Sequence, residues 1–262
     1  MRALHTAATG MMAQELNVQV ISNNIANMRT TGYKRQRAEF QDLLYEHVKR
    51  IGTQTSTQGN IQPVGVDLGG GVKTVGTPRL MTQGTIAPTG ADLNIAIRGE
   101  GFFKVLMPDG TFTYTRDGSF QMDAQGRIVT AQGNVVQPGI TIPSNAQAVS
   151  ISPAGQVSAT VPGSVTPSIL GQLALSRFVN KAGLQAIGDN LFVDTPASGT
   201  PQDGAPNTDG YGDLQQGNLE QANVEAVTEI SDLIAAQRAY EMNGKVITAA
   251  DQMLQSTSQM MR

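Results

Sequence analysis

The chain has no cysteine, no tryptophan and only two histidines, His5 and His47, among its 262 residues. Without cysteine, disulfide frameworks, thiolate catalysis and zinc-finger sites are excluded. Neither histidine has further ligand residues at a spacing that suits a metal, so we interpret both as structural or surface residues. We therefore expect the protein to hold no metal and no cofactor.

Long apolar runs and a basic surplus are also missing. No apolar run reaches the roughly 18 residues that a membrane-spanning helix needs, so we expect no membrane insertion. The formal net charge of −3 argues against nucleic-acid binding. The first residues only faintly resemble a signal peptide, because polar residues and Gly10 interrupt the apolar run. We interpret them as mature structure and not as a cleaved leader.

Motifs that would indicate an enzyme are incomplete or absent. Residues 69–74 contain glycines and a lysine but lack the glycine spacing of a phosphate-binding loop. Asp109, Asp117 and Asp123 lie at or beside turns, where aspartate is expected for backbone reasons. A hydrolase would need a clustered catalytic set that this sequence does not offer. We predict that the protein is not an enzyme.

The C-terminal segment, in contrast, has an apolar residue at every seventh position. These residues are Leu219, Ala226, Leu233, Tyr240, Ile247, Leu254 and Met261. A strict seven-residue repeat is typical of a seam along a long helix that contacts another helix. A helix of about 40 residues would be about 60 Å long, which is longer than a compact domain of this size needs. The seam therefore predicts contact with a second helix or a second molecule.

A matching repeat occurs at the N-terminus. Its first seam position holds Leu4, Met11, Val18 and Ile25, and its second holds Ala7, Ile21 and Met28. Asparagines at 23, 24 and 27, followed by Gly32, indicate where this helix ends. If the two helices pair, the chain is a hairpin with everything else inserted between its ends. The alternative is two amphipathic helices that pack on one globular core.

The middle of the chain divides into two parts. In residues 33–75, Phe40, Leu43, Leu44 and Val48 could line a short helical turn. Residues 52–71 are rich in Thr, Gln and Gly, which favours an extended arm. From residue 76 onward, short strand patterns such as 102–106 and 156–160 alternate with turns. The sequences Pro108-Asp109-Gly110 and Arg116-Asp117-Gly118 predict hairpins, and residues 195–212 predict a surface loop that leads into the last helix.

Together these patterns predict an α+β fold in three parts. Residues 1–32 and 217–262 are expected to form a terminal helical coiled-coil domain. Residues 33–75 are expected to form an extended connector. Residues 76–216 are expected to form a central, mostly-β outer domain of the sandwich or irregular-barrel kind.

Three separated motifs give the chain a specific resemblance. The N-terminal motif spans residues 20–27 (VISNNIAN) and 31–34 (TGYK). The central motif spans 97–103 (IRGEGFF) and 114–120 (YTRDGSF), and the C-terminal motif spans 217–224 (GNLEQANV) and 237–241 (QRAYE). In this order they resemble the signatures of bacterial flagellar rod and hook proteins, essentially from end to end. The motif positions of the N-terminal signature are Ser22, Asn23, Asn24, Asn27, Gly32, Tyr33 and Lys34.

The resemblance implies a self-assembling tube that crosses the periplasm to the outer membrane. Its terminal helices would form an inner coiled-coil layer around an export channel, through contacts at the heptad residues. The implied partners are further copies of the chain, the proximal rod proteins, the hook protein, and the P-ring and L-ring proteins. The resemblance also implies export in an unfolded state through the flagellar type III apparatus.

Within the family, the length of the chain favours a subunit of the distal rod. The hook subunit usually carries an additional outer domain, for which this chain has no room. A polar insert at about residues 46–63 is also similar to that of the distal rod, where it is implicated in making the rod straight and stiff. Two alternatives stay open: a proximal rod or hook subunit of the same family, and a fibre or adhesin with helical ends.

Overall fold

The chain divides into two compact units in a computed structural model that describes residues 2–49, 64–163 and 166–260. The helical unit comprises Met1–Ile25, Gln36–Pro78 and Glu225–Arg262. The β-rich unit comprises Ala26–Arg35 and Arg79–Val224. Both ends of the chain therefore belong to the same unit, and residues 217–224 fold with the β-rich unit.

Two helices form the ends of the chain, as the heptad repeats predict. Helix α1 spans Arg2–Ala26, and helix α2 spans Ala226–Met260. With 35 residues, α2 is about 52 Å long. Glu229 lies in its first turn, where a carboxylate is favoured by the positive end of the helix dipole. Within the described residues, neither helix is long and apolar enough to cross a membrane.

The connector contains a β-arm made of two pairs of antiparallel strands, and it has no helix among its described residues. Its strands are β1 (Glu39–Asp42), β2 (Tyr45–Lys49), β3 (Val66–Gly69) and β4 (Val72–Gly76). Strand β1 pairs with β4 and β2 pairs with β3, both antiparallel. The helical turn predicted at Phe40, Leu43, Leu44 and Val48 is therefore wrong, because aromatic and β-branched residues here pair across strands. Most of the predicted insert, residues 50–63, lies outside the described residues.

The β-rich unit confirms the predicted central β-domain. Its strands are β5 (Ile86–Pro88), β6 (Ile95–Arg98), β7 (Phe102–Leu106), β8 (Phe112–Thr115), β9 (Gln121–Met122), β10 (Ile128–Val129), β11 (Val135–Val136), β12 (Ala148–Ile151), β13 (Gln156–Thr160), β14 (Ser168–Gln172), β15 (Leu175–Arg177), β16 (Gln185–Gly188), β17 (Leu191–Val193), β18 (Gln202–Gly204), β19 (Asp213–Gln216) and β20 (Asn218–Glu220). A short 3-10 helix spans Lys181–Gly183.

The largest sheet of the described residues has nine strands, in the order β16-β17-β8-β7-β11-β10-β9, with β15 pairing with β7 and with β18. Strand β7 supports cores on both of its faces, because successive side chains point to opposite sides. Phe103 packs with one apolar cluster, which includes Ile97 and Leu175. Phe102 packs with a second cluster, which includes Tyr114 and Phe192. Strands β5 and β6 pair with β20 and β19, which bring the chain back toward its C-terminal helix.

Among the described residues of the C-terminal heptad, Leu219 is the one that does not lie in α2. It lies in β20 and pairs with Ala87 of β5, so its assignment to the helical seam is wrong. The backbone of residues 218–220 is engaged in this ladder and cannot form helical hydrogen bonds. Met261 lies outside the described residues.

One of the two hairpin predictions is confirmed, whereas the other hairpin and the predicted surface loop differ from the structure. The turn at Pro108-Asp109-Gly110 does join β7 to β8, with Gly110 at φ +84°. The sequence Arg116-Asp117-Gly118 is not a hairpin turn, because β8 does not pair with β9 and the Arg116 side chain is buried. The segment 195–212 contains β18, and β19 and β20 intervene before α2.

Candidate assembly site

A buried cluster of three charges lies in the β-rich unit. Glu220 accepts a hydrogen bond from Lys34 Nζ at 2.6 Å through Oε1 and one from Arg116 Nε at 2.9 Å through Oε2. All three residues are at most 5% exposed. Because strand β20 holds Glu220 between the two cations, one carboxylate neutralises charges from two distant segments.

Backbone groups form further hydrogen bonds with the three side chains of the cluster. The Gly84 amide donates to Glu220 Oε1 at 2.9 Å, and Lys34 donates to the carbonyl of Thr82 at 2.8 Å. The partners of Arg116 Nη1 are the carbonyls of Gly99 and Gly101. A buried ionic network of this kind is costly to break, because removal of one member leaves the others buried without compensation.

The cluster joins the three sequence motifs. Lys34 belongs to the N-terminal motif, Arg116 to the central motif and Glu220 to the C-terminal motif. The structure thus brings Lys34 into a polar centre, and it adds Arg116 and Glu220, which are not among the predicted site residues. In the sequence, the only sign of this cluster is that each motif contains a charged residue, two of them basic and one acidic. Among the described residues, no group of His, Asp and Glu has the arrangement of a metal site.

Burial and charge act in opposite directions on the pKa of Glu220. Burial by itself raises the pKa, but the charges of Arg116 and Lys34, with hydrogen bonds from Lys34 and the Gly84 amide, lower it below the ordinary value of 4.5. Burial lowers the pKa of Lys34 below 10.5, and the Arg116 charge adds to this effect against the attraction of Glu220. The carboxylate is therefore the group that holds the cluster together.

We expect this cluster to make the fold sensitive to acid. Because the pKa of Glu220 is lowered in the folded state, its stabilisation is complete above 4.5 and is lost as the pH falls through the folded value. The free energy of unfolding should therefore fall below about pH 4.5, and Glu220→Gln should flatten this dependence. Denaturant unfolding between pH 3 and 7 measures it, with the exposed Glu241→Gln as control. The same slope in Glu220→Gln as in the unmodified chain would contradict the assignment.

The N-terminal motif also forms a tight turn against the central motif. Gly32 has φ +68°, and its amide donates to the carbonyl of Glu220 at 2.8 Å. A Cβ at this position would lie 2.7 Å from the Asp117 nitrogen and 2.8 Å from the Arg116 carbonyl carbon. Tyr33 is buried beside it. Only glycine fits here, both for its backbone conformation and for its close approach to another segment.

Gly32→Ala is expected to destabilise the chain by about 2–5 kcal/mol, from the left-handed conformation and the backbone clash together. Gly90→Ala is a matched control, because Gly90 has φ +72° with open space around its Cβ position. The control should lose only the conformational part, about 1–2 kcal/mol. Chemical denaturation of both variants measures the difference, and equal losses would refute a packing role for Gly32.

Helices α1 and α2 approach each other at two points of the helical unit, one of them a set of hydrogen bonds and the other a close approach at a glycine. Asn24 Nδ2 donates to Glu229 Oε2 at 3.1 Å and to the carbonyl of Gln36 at 2.9 Å. The Gln36 amide donates back to Asn24 Oδ1 at 2.9 Å. At the second point, a Cβ on Gly10 would lie 2.9 Å from Asn243 Nδ2. Asn24 thus joins the first helix, the start of the connector and the last helix.

The other predicted site residues are distributed along both helices. On α1, Leu4, Met11, Val18 and Ile25 are half-buried and Ile21 is buried. On α2, Ala226, Leu233 and Ile247 are half-buried, whereas Tyr240 and Leu254 are exposed. In the N-terminal motif, Ser22 and Asn23 are exposed, and Asn27 accepts a hydrogen bond from Thr30. Their role in assembly stays a prediction, as does coiled-coil pairing along the helices.

Comparison with known families matches three regions of the chain. Residues 4–34 match the flagella basal body rod protein family. Residues 96–159 match the D1 domain of the flagellar hook protein FlgE/F/G family, and residues 215–260 match the C-terminal region of the flagellar basal body rod FlgEFG proteins. The buried charge cluster thus joins segments in or beside all three regions.

Relatives extend the match to the full chain. The flagellar basal-body rod protein FlgG of Caulobacter vibrioides is 55% identical over 99% of both chains. FlgG of Buchnera aphidicola is 46% identical over 98% of this chain and 99% of that protein, and FlgG of Bacillus subtilis is 34% identical over 97% of both. The chain belongs to the bacterial flagellar rod and hook family. Within that family it is FlgG-like.

The similarity to a hook protein is much more limited. The flagellar hook protein FlgE of Helicobacter pylori is 37% identical over 139 residues, which cover 52% of this chain and 19% of that protein. The full-length matches are therefore to rod proteins.

Proposed function

We propose that the chain is a self-assembling structural subunit of the flagellar distal rod. The rod is a rigid tubular drive shaft that transmits torque from the motor to the hook and encloses the export channel. Full-length similarity to FlgG rod proteins supports this function over that of a hook subunit. The protein has a mechanical role and no catalytic one.

The main structural support for this proposal is the exposed apolar surface of α2. Of its 35 residues, only Glu229, Ala236 and Ala250 are buried in the single chain. Tyr240 and Leu254, both at heptad positions, are 45% and 48% exposed. A long helix with this much apolar surface needs cover from other molecules, and further copies of the chain provide it in a filament.

In this proposal the terminal helices form the inner coiled-coil wall of the tube. The heptad residues of α1 and α2 contact each other within a copy and contact neighbouring copies. The termini are disordered before assembly and become ordered in the polymer, where new burial offsets the entropy lost. The β-arm braces adjacent subunits, because a two-stranded ribbon with both strands exposed is marginally stable without a partner.

The remaining partners follow from the place of a distal rod in the basal body. They are the proximal rod proteins at one end, the hook protein at the other, and the surrounding P-ring and L-ring proteins. The subunit is exported through the type III apparatus and assembles across the periplasm toward the outer membrane. It binds no nucleic acid and does not insert into a membrane.

Complementation tests the proposed function. In a motile bacterium that lacks its own FlgG, expression of this chain is expected to restore rods that reach the outer membrane and to restore swimming. Electron microscopy of isolated basal bodies provides the direct readout. Basal bodies that contain the chain only in the proximal rod or in the hook would refute the distal position.

Deletion of residues 46–63 is expected to give curved or flexible rods. This deletion removes most of β2, the partner of β3, together with the insert, and so shortens the arm that braces neighbouring copies. Curvature of purified rods in electron micrographs measures the effect. Replacement of residues 50–63 by a Gly/Ser segment of equal length keeps β2 and separates the arm from the insert sequence. Rods of unchanged straightness after the deletion would exclude this role.

A further inference from the structure

The contact between α1 and α2 contains a repeating pattern of polar and small residues. On α2, Glu229, Ala236, Asn243 and Ala250 recur every seven residues. Glu229 is fully buried and bonds to Asn24, which is 1% exposed. Gly10 leaves room for the Asn243 side chain in its present conformation, because a Cβ on Gly10 would lie 2.9 Å from Asn243 Nδ2. On this face of α2, Glu229 therefore faces a hydrogen-bond donor of α1, and Asn243 faces a glycine of α1.

The two contacts have the same spacing on both helices. Asn24 and Gly10 are fourteen residues apart on α1, and Glu229 and Asn243 are fourteen residues apart on α2. Their order along the chain is reversed, as in an antiparallel pair of helices. A slip of one heptad would place Asn243 opposite Ala3 or Asn17, where a Cβ occupies the space. The same slip would remove Asn24 from Glu229. No other one-heptad alignment satisfies both points.

We propose that two contacts, Asn24–Glu229 and Gly10–Asn243, together fix the register of α1 against α2. The inference rests on the proposed pairing of the terminal helices. A polar residue buried in a helix contact contributes less stability than an apolar one, and its best-attested use is to select one alignment among several. These four are positioning residues, because they act by aligning the helices and not by contact with a partner.

The register determines which part of α2 is left for other copies. By the same spacing, Arg2 at the start of α1 falls opposite Asp251. The last nine residues of α2 then extend about 13 Å beyond α1, and residues 251–260 are all exposed. A single register gives every copy the same projecting end, with Met253 and Leu254 on it, and a regular filament requires identical copies.

The absence of cysteine allows a clean distance measurement. Spin labels at Met12→Cys and Thr228→Cys occupy two exposed positions, one on each helix, and neither lies on the projecting end of α2. Labelled chains are co-assembled with a tenfold excess of unlabelled chain, so that the pulsed electron-spin distance reports one copy. We expect a single distance in the otherwise unmodified chain. In the variant Asn24→Leu/Glu229→Leu/Asn243→Ala we expect additional distances displaced by about 10 Å, one heptad of helix rise.

Two further variants separate register from general stability. Glu229→Gln retains an acceptor for Asn24 and should keep the single distance. Glu15→Leu/Gln237→Leu makes similar polar-to-apolar changes at exposed positions and should also keep it. One unchanged distance in the triple variant would show that the helices pair without needing these contacts to set their register, and it would overturn the proposal. Failure of the unlabelled, unmodified chain to form filaments would instead refute the proposed function.

Discussion

Leu233→Asp is expected to abolish assembly of the chain into filaments while the β-rich unit stays folded. Leu233 lies at a heptad position of α2 and is only half-buried in the single chain, so its remaining surface is available to a neighbour. Full burial of such a side chain contributes about 1.5–3 kcal/mol, and an aspartate would add the cost of burying a charge in every copy. Ile247→Asp, two heptads further along α2, should have the same effect.

The measurement combines electron microscopy of basal bodies with circular dichroism of the purified chain. Neither aspartate variant should form rods or support swimming, whereas the strand signal of the β-rich unit should persist. Ala235→Asp places the same charge two residues away at an exposed position outside the seam, and it should assemble. Normal filaments from Leu233→Asp and Ile247→Asp would show that the heptad residues are not the contacts between copies.

Glu220→Ala is expected to cost about 3–5 kcal/mol of stability, the second large effect. The substitution leaves Lys34 and Arg116 buried next to each other without the carboxylate that neutralises both. Chemical denaturation at pH 7 measures the loss. The triple variant Lys34→Met/Arg116→Met/Glu220→Leu removes all three charges and should recover at least half of it, because no uncompensated charge remains.

A loss below about 1 kcal/mol for Glu220→Ala would mean that water or backbone groups compensate the two cations. A triple variant no more stable than Glu220→Ala would indicate that the side chains act through shape rather than charge. Either result would remove the charge cluster from the account of how the three motifs hold together.

The helices could be predicted from the sequence because their signal is local. The heptad spacing of residues such as Val18 and Leu233 is a property of one segment, and it predicted both helices, although α2 begins at Ala226 and not near residue 217. Leu219 fits the same spacing but lies in a strand. Its conformation depends on Ala87 of β5, a partner more than 130 residues away, which no local pattern reports.

The candidate site was less predictable for the same reason. Lys34 and Glu220 are 186 residues apart, and Arg116 is 104 residues from Glu220. The charges meet only because distant segments of the chain fold together in the β-rich unit. The contact of Asn24 with Glu229 spans 205 residues and likewise depends on how the two helices align. The sequence motifs indicate that such residues matter, but which residues they contact depends on how distant segments fold together.

Helical reconstruction of the assembled filament by electron cryo-microscopy, at side-chain resolution, would show directly whether α2 forms the contacts between copies. We expect Leu233, Tyr240, Ile247 and Leu254 to be buried against α1 or α2 of neighbouring copies around a central channel. Contacts between copies made by the β-rich units alone, with these four side chains exposed to solvent, would contradict it.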